Sequence, residues 1–162
     1  MKRFYYFLLA LLPVIALSSC SSEDDLPDVE MSVTYSGATD IDNVLYVVQG
    51  NVLSIDALTV TPIDASKKAT IGATAYYWNY QYVGTTIREP FGMSFDTATM
   101  PVGDYVLQIN STVYQVDKSV GQAYFTYLVK IVANESDVPG AVTGSGTDKP
   151  DVDVRSGALP TR

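Results

Sequence analysis

The sequence predicts an all-β protein, and three observations carry that expectation. No window of the 162 residues repeats its apolar positions at the helical period of about 3.6. Val52 to Val60 alternates instead, with Val52, Ser54, Asp56, Leu58 and Val60 on one side and Leu53, Ile55, Ala57 and Thr59 on the other. Twelve tyrosines and one tryptophan, against a charged fraction of 17%, favour half-buried strands. Short strands separated by turn signals make an antiparallel sandwich or barrel the expected architecture.

Taken in order, Leu26 to Glu30 reads as an extended tether because of Pro27. Met31 to Tyr35 is a short strand, broken by Ser36-Gly37-Ala38. Asp40-Ile41-Asp42-Asn43 holds two acids and an amide but lacks the glycine and distal glutamate of a calcium loop, so it reads as a polar turn. Val44 to Val48 is a second strand, stopped by Gly50-Asn51, and the alternating Val52 to Val60 is a third. Pro62 to Lys68 is a polar loop. From Ala69 to Val83 the chain is aromatic on both strand faces through Tyr76-Tyr77-Trp78-Asn79-Tyr80-Gln81-Tyr82, with a turn at Val83-Gly84. Phe91 to Phe95, Tyr105 to Ile109 and Gln122 to Val132 supply further strands, with a loop from Asp96 to Gly103. Residues 134–162 then turn to Gly, Ser, Thr, Pro and Asp without aromatics, which predicts a disordered tail.

The first twenty residues have a different order: Lys2 and Arg3, an apolar run from Phe4 to Leu17, then small residues up to Cys20. That is the order of a secretory signal peptide, here residues 1–19, and the apolar run is too short to span a bilayer. Leu17-Ser18-Ser19-Cys20 resembles the lipobox of bacterial lipoproteins, which implies that Cys20 is acylated and becomes the first mature residue. Cys20 is the only cysteine, so no disulfide within the chain exists. Multiple acyl chains of the kind that resemblance implies, palmitate among them, anchor firmly where one chain gives marginal attachment. Ser21-Ser22-Glu23-Asp24-Asp25 resembles the acidic tag that directs lipoproteins to the outer face of the outer membrane in a group of Gram-negative anaerobes. The expected organisation is thus a signal peptide at 1–19, a lipidated acidic tether at 20–30, a sandwich at 31–133 and a tail at 134–162.

Within the sandwich, Tyr76-Tyr77-Trp78-Asn79, Val83-Gly84, Pro90-Phe91, Met93, Phe95-Asp96-Thr97 and Gly103-Asp104-Tyr105-Val106-Leu107 follow one another in a pattern. It resembles the bacterial immunoglobulin-like modules of secreted glycoside hydrolases and adhesins. The resemblance covers about a third of the mature chain and implies an immunoglobulin-like antiparallel β-sandwich, in which Tyr80 stands where such modules often place a turn glycine. It further implies that Tyr76 and Trp78 point inward toward Phe91, Met93 and Phe95, and that Tyr105 is a tyrosine-corner residue. Such modules serve as spacers, binding surfaces or docking units, so the fold leaves the function open.

Composition narrows the function. A net charge of −8 gives the chain no electrostatic reason to bind nucleic acid. The absence of histidine removes the commonest general base and transition-metal ligand, and a lipidated Cys20 leaves no thiolate nucleophile. Glu89 with Asp96 or Asp104 is the only pairing that suggests a glycosidase, and nothing in the sequence supplies a cleft. No cofactor or metal site is expected. If Tyr76 and Trp78 face inward, Tyr77 faces outward, and Tyr80 and Tyr82 lie in or beside the following turn. Exposed aromatics of this kind bind the faces of sugar rings, but cross-strand pairing that stabilises the sheet is the preferred reading, because no asparagine, aspartate and aromatic constellation repeats beside these tyrosines. Asp96-Thr97-Ala98 resembles a bacterial O-glycosylation acceptor, with Thr97 expected in an exposed turn. Asn110-Ser111-Thr112 and Asn134-Glu135-Ser136 match the N-glycosylation pattern, which a bacterial exporter rarely uses. The expectation is a non-catalytic, surface-anchored lipoprotein that binds a glycan or an envelope protein, the alternative being a structural spacer or accessory subunit with no ligand of its own.

Overall fold

The structure, a computed structural model, describes residues 26–140 together with the backbone of two strand segments, 147–148 and 153–156. The signal peptide expected at residues 1–19, Cys20 and the acidic run Ser21 to Asp25 lie outside the described residues. Among the described residues eleven strands form: β1 (Val29–Ser36), β2 (Thr39–Ile41), β3 (Val44–Val48), β4 (Val52–Pro62), β5 (Ala69–Trp78), β6 (Gln81–Thr86), β7 (Met93–Asp96), β8 (Gly103–Gln115), β9 (Gly121–Val132), β10 (Thr147–Asp148) and β11 (Asp153–Ser156). They make two sheets, one ordered β10-β1-β4-β7 and a larger one ordered β2-β3-β9-β8-β5-β6, with β11 also beside β9. All pairings are antiparallel except β3 with β9, which is parallel from Val44 opposite Leu128 to Val48 opposite Val132.

Alternation decides which side chains meet between the sheets. From the smaller sheet Met31, Val33, Tyr35, Leu53, Ile55 and Phe95 turn inward. The larger sheet answers with Leu45, Val47, Tyr76, Leu107, Ile109 and Phe125. The aromatics dominate this core because each removes on the order of 200 Å² from water. Tyr76 packs on Phe95 at 6.2 Å between ring centroids. Trp78 stacks on Phe95 at 5.1 Å and leans on Tyr105 at 5.3 Å, so it faces inward as the alternation requires while remaining half-buried at the sheet's end. The Tyr105 hydroxyl donates to the carbonyl of Pro101, 2.7 Å away and four residues upstream, which ties the β7–β8 connection to the start of β8.

Two tight turns build the hairpins. Asp42-Asn43 (φ 53° and 62°) joins β2 to β3, and Asn79-Tyr80 (φ 48° and 64°) joins β5 to β6. Positive φ at both central residues is the type I′ turn, whose twist suits a two-residue hairpin. The polar turn expected over Asp40 to Asn43 is thus confined to Asp42-Asn43, since Asp40 and Ile41 pair with Leu45 and Val44 as part of β2. Asp40 accepts a hydrogen bond from the Tyr35 hydroxyl at 2.8 Å. Among the described residues no group of acids is gathered for a metal ion.

Three sequence expectations are corrected. The turn placed at Val83-Gly84 falls instead at Asn79-Tyr80, and Val83 and Gly84 lie inside β6. The sheet begins at Val29 rather than Met31: Glu30 pairs with Thr61, and the Asp28 amide donates to Gln115 Oε1 at 2.6 Å, so the end of the supposed tether is part of the fold. In the tail, a 3₁₀ turn spans Glu135–Asp137, β10 pairs with β1, and β11 pairs with residues 121–124 of β9. Short polar segments can do this because an open sheet edge asks only for backbone donors and acceptors. The rest of residues 141–162 lies outside the described residues.

Candidate functional site

The outer face of the larger sheet is assembled by register. Tyr77 on β5 stands between Tyr82 on β6 and Gln108 on β8, and Gln108 stands opposite Thr126 on β9. One step along, Ala75 stands between Thr85 and Asn110, which is opposite Tyr124. The inward neighbours Leu107, Ile109, Ala123 and Phe125 are buried, so alternation turns these positions outward.

The three tyrosines expected at the surface are brought to one end of this face. Tyr77 and Tyr82 meet edge to face at 5.8 Å, and the Tyr82 hydroxyl shares a 2.9 Å hydrogen bond with Thr85. Tyr82 is 61% exposed and Tyr80, at the hairpin tip, is 72% exposed. Tyr80 holds φ 64°, a left-handed backbone in which a Cβ crowds the chain. Its partner at the tip suits its place better: Asn79 tolerates positive φ, and it grips β8 by donating its amide to the Val106 carbonyl and accepting from the Val106 amide, both at 2.8 Å. The tip is therefore fixed to β8, with Tyr80 projecting from it.

Comparison with known protein families, characterised proteins and solved structures finds no match to this chain.

Next to the tyrosines stand residues that the sequence alone does not single out. Gln108 and Asn110 carry side-chain amides with no hydrogen-bond partner among the described residues. Each offers two donors and one acceptor toward solvent. The smaller sheet is different: Ser32 with Thr59 (2.6 Å), Ser54 with Ser94 (2.8 Å) and Ser36 with Asp56 (3.0 Å) satisfy one another across its strands. Charge separates the tyrosine end of the larger sheet from the smaller sheet as well. Glu30, Asp56 and Asp96 belong to strands of the smaller sheet and are exposed, whereas β5, β6 and β8–β9 over residues 106–114 and 122–128 contain no charged residue.

The other candidates fare differently. Thr97 is fully buried, which corrects the exposed turn expected there. Its hydroxyl donates to the Asn51 carbonyl at 2.7 Å and accepts from the Gly50 amide at 3.1 Å, so it joins the β3–β4 turn to the end of β7 and is withheld from a glycosyltransferase in the folded chain. Glu89 borders a half-open cleft of about 350 Å³ where β4 and β5 diverge, flanked by Leu58, Ile71 and Phe91. Neither Asp96 nor Asp104 lines it, so the carboxylate pair is not assembled there. Near this cleft the Tyr76 hydroxyl donates to the Phe91 carbonyl, and burial pushes the Tyr76 phenol well above the usual tyrosine range.

Proposed function

We propose that this chain is a non-catalytic binding protein of immunoglobulin-like type, held at the outer face of the outer membrane by a lipid on Cys20, and that it binds glycan through the outer face of its larger sheet. The observation that carries the reading is the tyrosine end of that face. The half-buried ring of Tyr77 and the exposed ring of Tyr82 pack at 5.8 Å beside a third, Tyr80, held at the tip of a left-handed turn. A strained, exposed aromatic contributes little to the sheet that carries it, and such strain persists where a side chain serves recognition. Phenol rings offer an apolar face to a sugar ring and a hydroxyl to its edge.

The test is a glycan array read with the wild type and with a variant in which Tyr77, Tyr80 and Tyr82 are all alanine. Retention by the wild type and its loss in the variant are expected. No retention of any glycan by the wild type refutes this reading and returns the protein to a spacer or accessory subunit. Location is checked separately by labelled palmitate, whose incorporation is expected to vanish in Cys20→Ser, and by protease shaving of intact cells, in which full protection of the domain refutes the surface position.

A further inference from the structure

Resting on the glycan-binding reading, we infer that the ligand is a neutral, extended polysaccharide laid across the strands, and that Gln108 and Asn110 bind its hydroxyls beyond the tyrosines. Three observations converge on this. The first is charge. A chain with net charge −8 repels uronates and sulfated glycans, and the stretch that carries the tyrosine rows, β5, β6 and residues 106–114 and 122–128 of β8 and β9, holds no cation to offset that repulsion; Lys130, further along β9, already faces Asp104 at 3.9 Å.

The second is the state of the amides. Gln108 and Asn110 stand beside the aromatic end with donors and acceptors unused, while the smaller sheet has already paired its outward hydroxyls. A carboxamide presents a donor and an acceptor side by side, which matches two adjacent hydroxyls of a sugar. The third is extent. The row Tyr82, Tyr77, Gln108, Thr126 crosses four strands, or about 14 Å at the usual strand spacing, and its neighbouring row ends in the exposed Tyr124. A single sugar does not reach from the tyrosines to β9. The face is a sheet surface rather than a pocket, so a chain of sugars lying on it fills the row without needing a free end.

Affinity electrophoresis of the full chain in mild detergent tests this, with xyloglucan, galactomannan and mixed-linkage β-glucan as neutral polymers and polygalacturonate and alginate as acidic ones. Retardation by at least one neutral polymer and by neither acidic one is expected. The double variant Gln108→Ala with Asn110→Ala is expected to raise the dissociation constant about tenfold or more. Gln108→Glu keeps the side-chain shape, serves if the truncations disturb the sheet, and is expected to weaken binding comparably. Binding confined to the acidic polymers overturns the inference and leaves glycan binding intact. So does a Gln108 and Asn110 variant that binds like the parent while the triple tyrosine variant does not. No retardation by any polymer, together with a silent glycan array, overturns the underlying reading instead.

Discussion

Replacing Tyr80 with glycine is expected to stabilise the protein while weakening its binding. The left-handed backbone at φ 64° costs a residue with a Cβ about 1–2 kcal/mol. Glycine removes that cost but brings back about 0.5–1 kcal/mol through the greater freedom of its unfolded chain. The lost side chain is 72% exposed, so its packing adds only a few tenths of a kcal/mol to the other side. The net is a gain of about 0.5 kcal/mol, and Asn-Gly is the preferred pair for a type I′ turn. For a domain of this size that corresponds to a rise of about 2–4 °C in melting temperature, read by circular dichroism. Binding to a retained glycan is expected to fall in the same variant. A melting temperature that is unchanged or lower refutes the reasoning, because Tyr80 would then be stabilising the hairpin rather than straining it.

Three further substitutions test the interior. Trp78→Ala removes the ring stacked on Phe95 and Tyr105. Half-burial places its cost at the lower end for a large aromatic, about 3 kcal/mol by urea unfolding, and parental stability would refute the inward assignment. Thr97→Val leaves the Gly50 amide and the Asn51 carbonyl without the hydroxyl that joins them, and about 2 kcal/mol is expected to be lost; a neutral result would mean the turn closes without that bridge. Tyr76→Phe tests the raised phenol. The native state keeps Tyr76 neutral above pH 10 while the unfolded chain ionises there, so stability is full below about pH 10 and falls as pH rises beyond it. The variant is expected to show a shallower alkaline loss in urea midpoints measured from pH 9 to pH 11, and equal slopes would refute the burial argument.

Strand identity was legible where burial is one-sided. Leu53, Ile55 and Phe125 each announce an inward face through period two, and the structure places them inward. Gly84 misled because a glycine in an aromatic run reads as a turn. Its missing Cβ serves packing instead, since a Cβ there would meet Met93 Cε at 3.0 Å. Thr97 misled for a related reason: a three-residue motif says nothing about Gly50 and Asn51, which lie 46 to 47 residues away and consume its hydroxyl. The amides of Gln108 and Asn110 were visible as residues but not as neighbours of Tyr77 and Ala75. Only the register of β5 against β8 brings them together. The tail strands carry no apolar alternation to read, and their backbone pairs with β1 and with the start of β9.

The parallel pairing of β3 with β9 governs when this protein acquires its shape. β9 lies between β3 and β8, yet Val44 must wait for Leu128, 84 positions later, before its strand has a neighbour on that side. The β2–β3 hairpin is therefore an early-made piece with nowhere to dock, and the larger sheet closes in one late step that joins both ends of the chain. Such distant pairing slows folding and keeps the nascent chain open until almost all of it is present. A chain ended before Gly121 would lose the centre of its sheet rather than an edge, so truncation from the C-terminal side is expected to abolish folding outright instead of trimming stability by degrees.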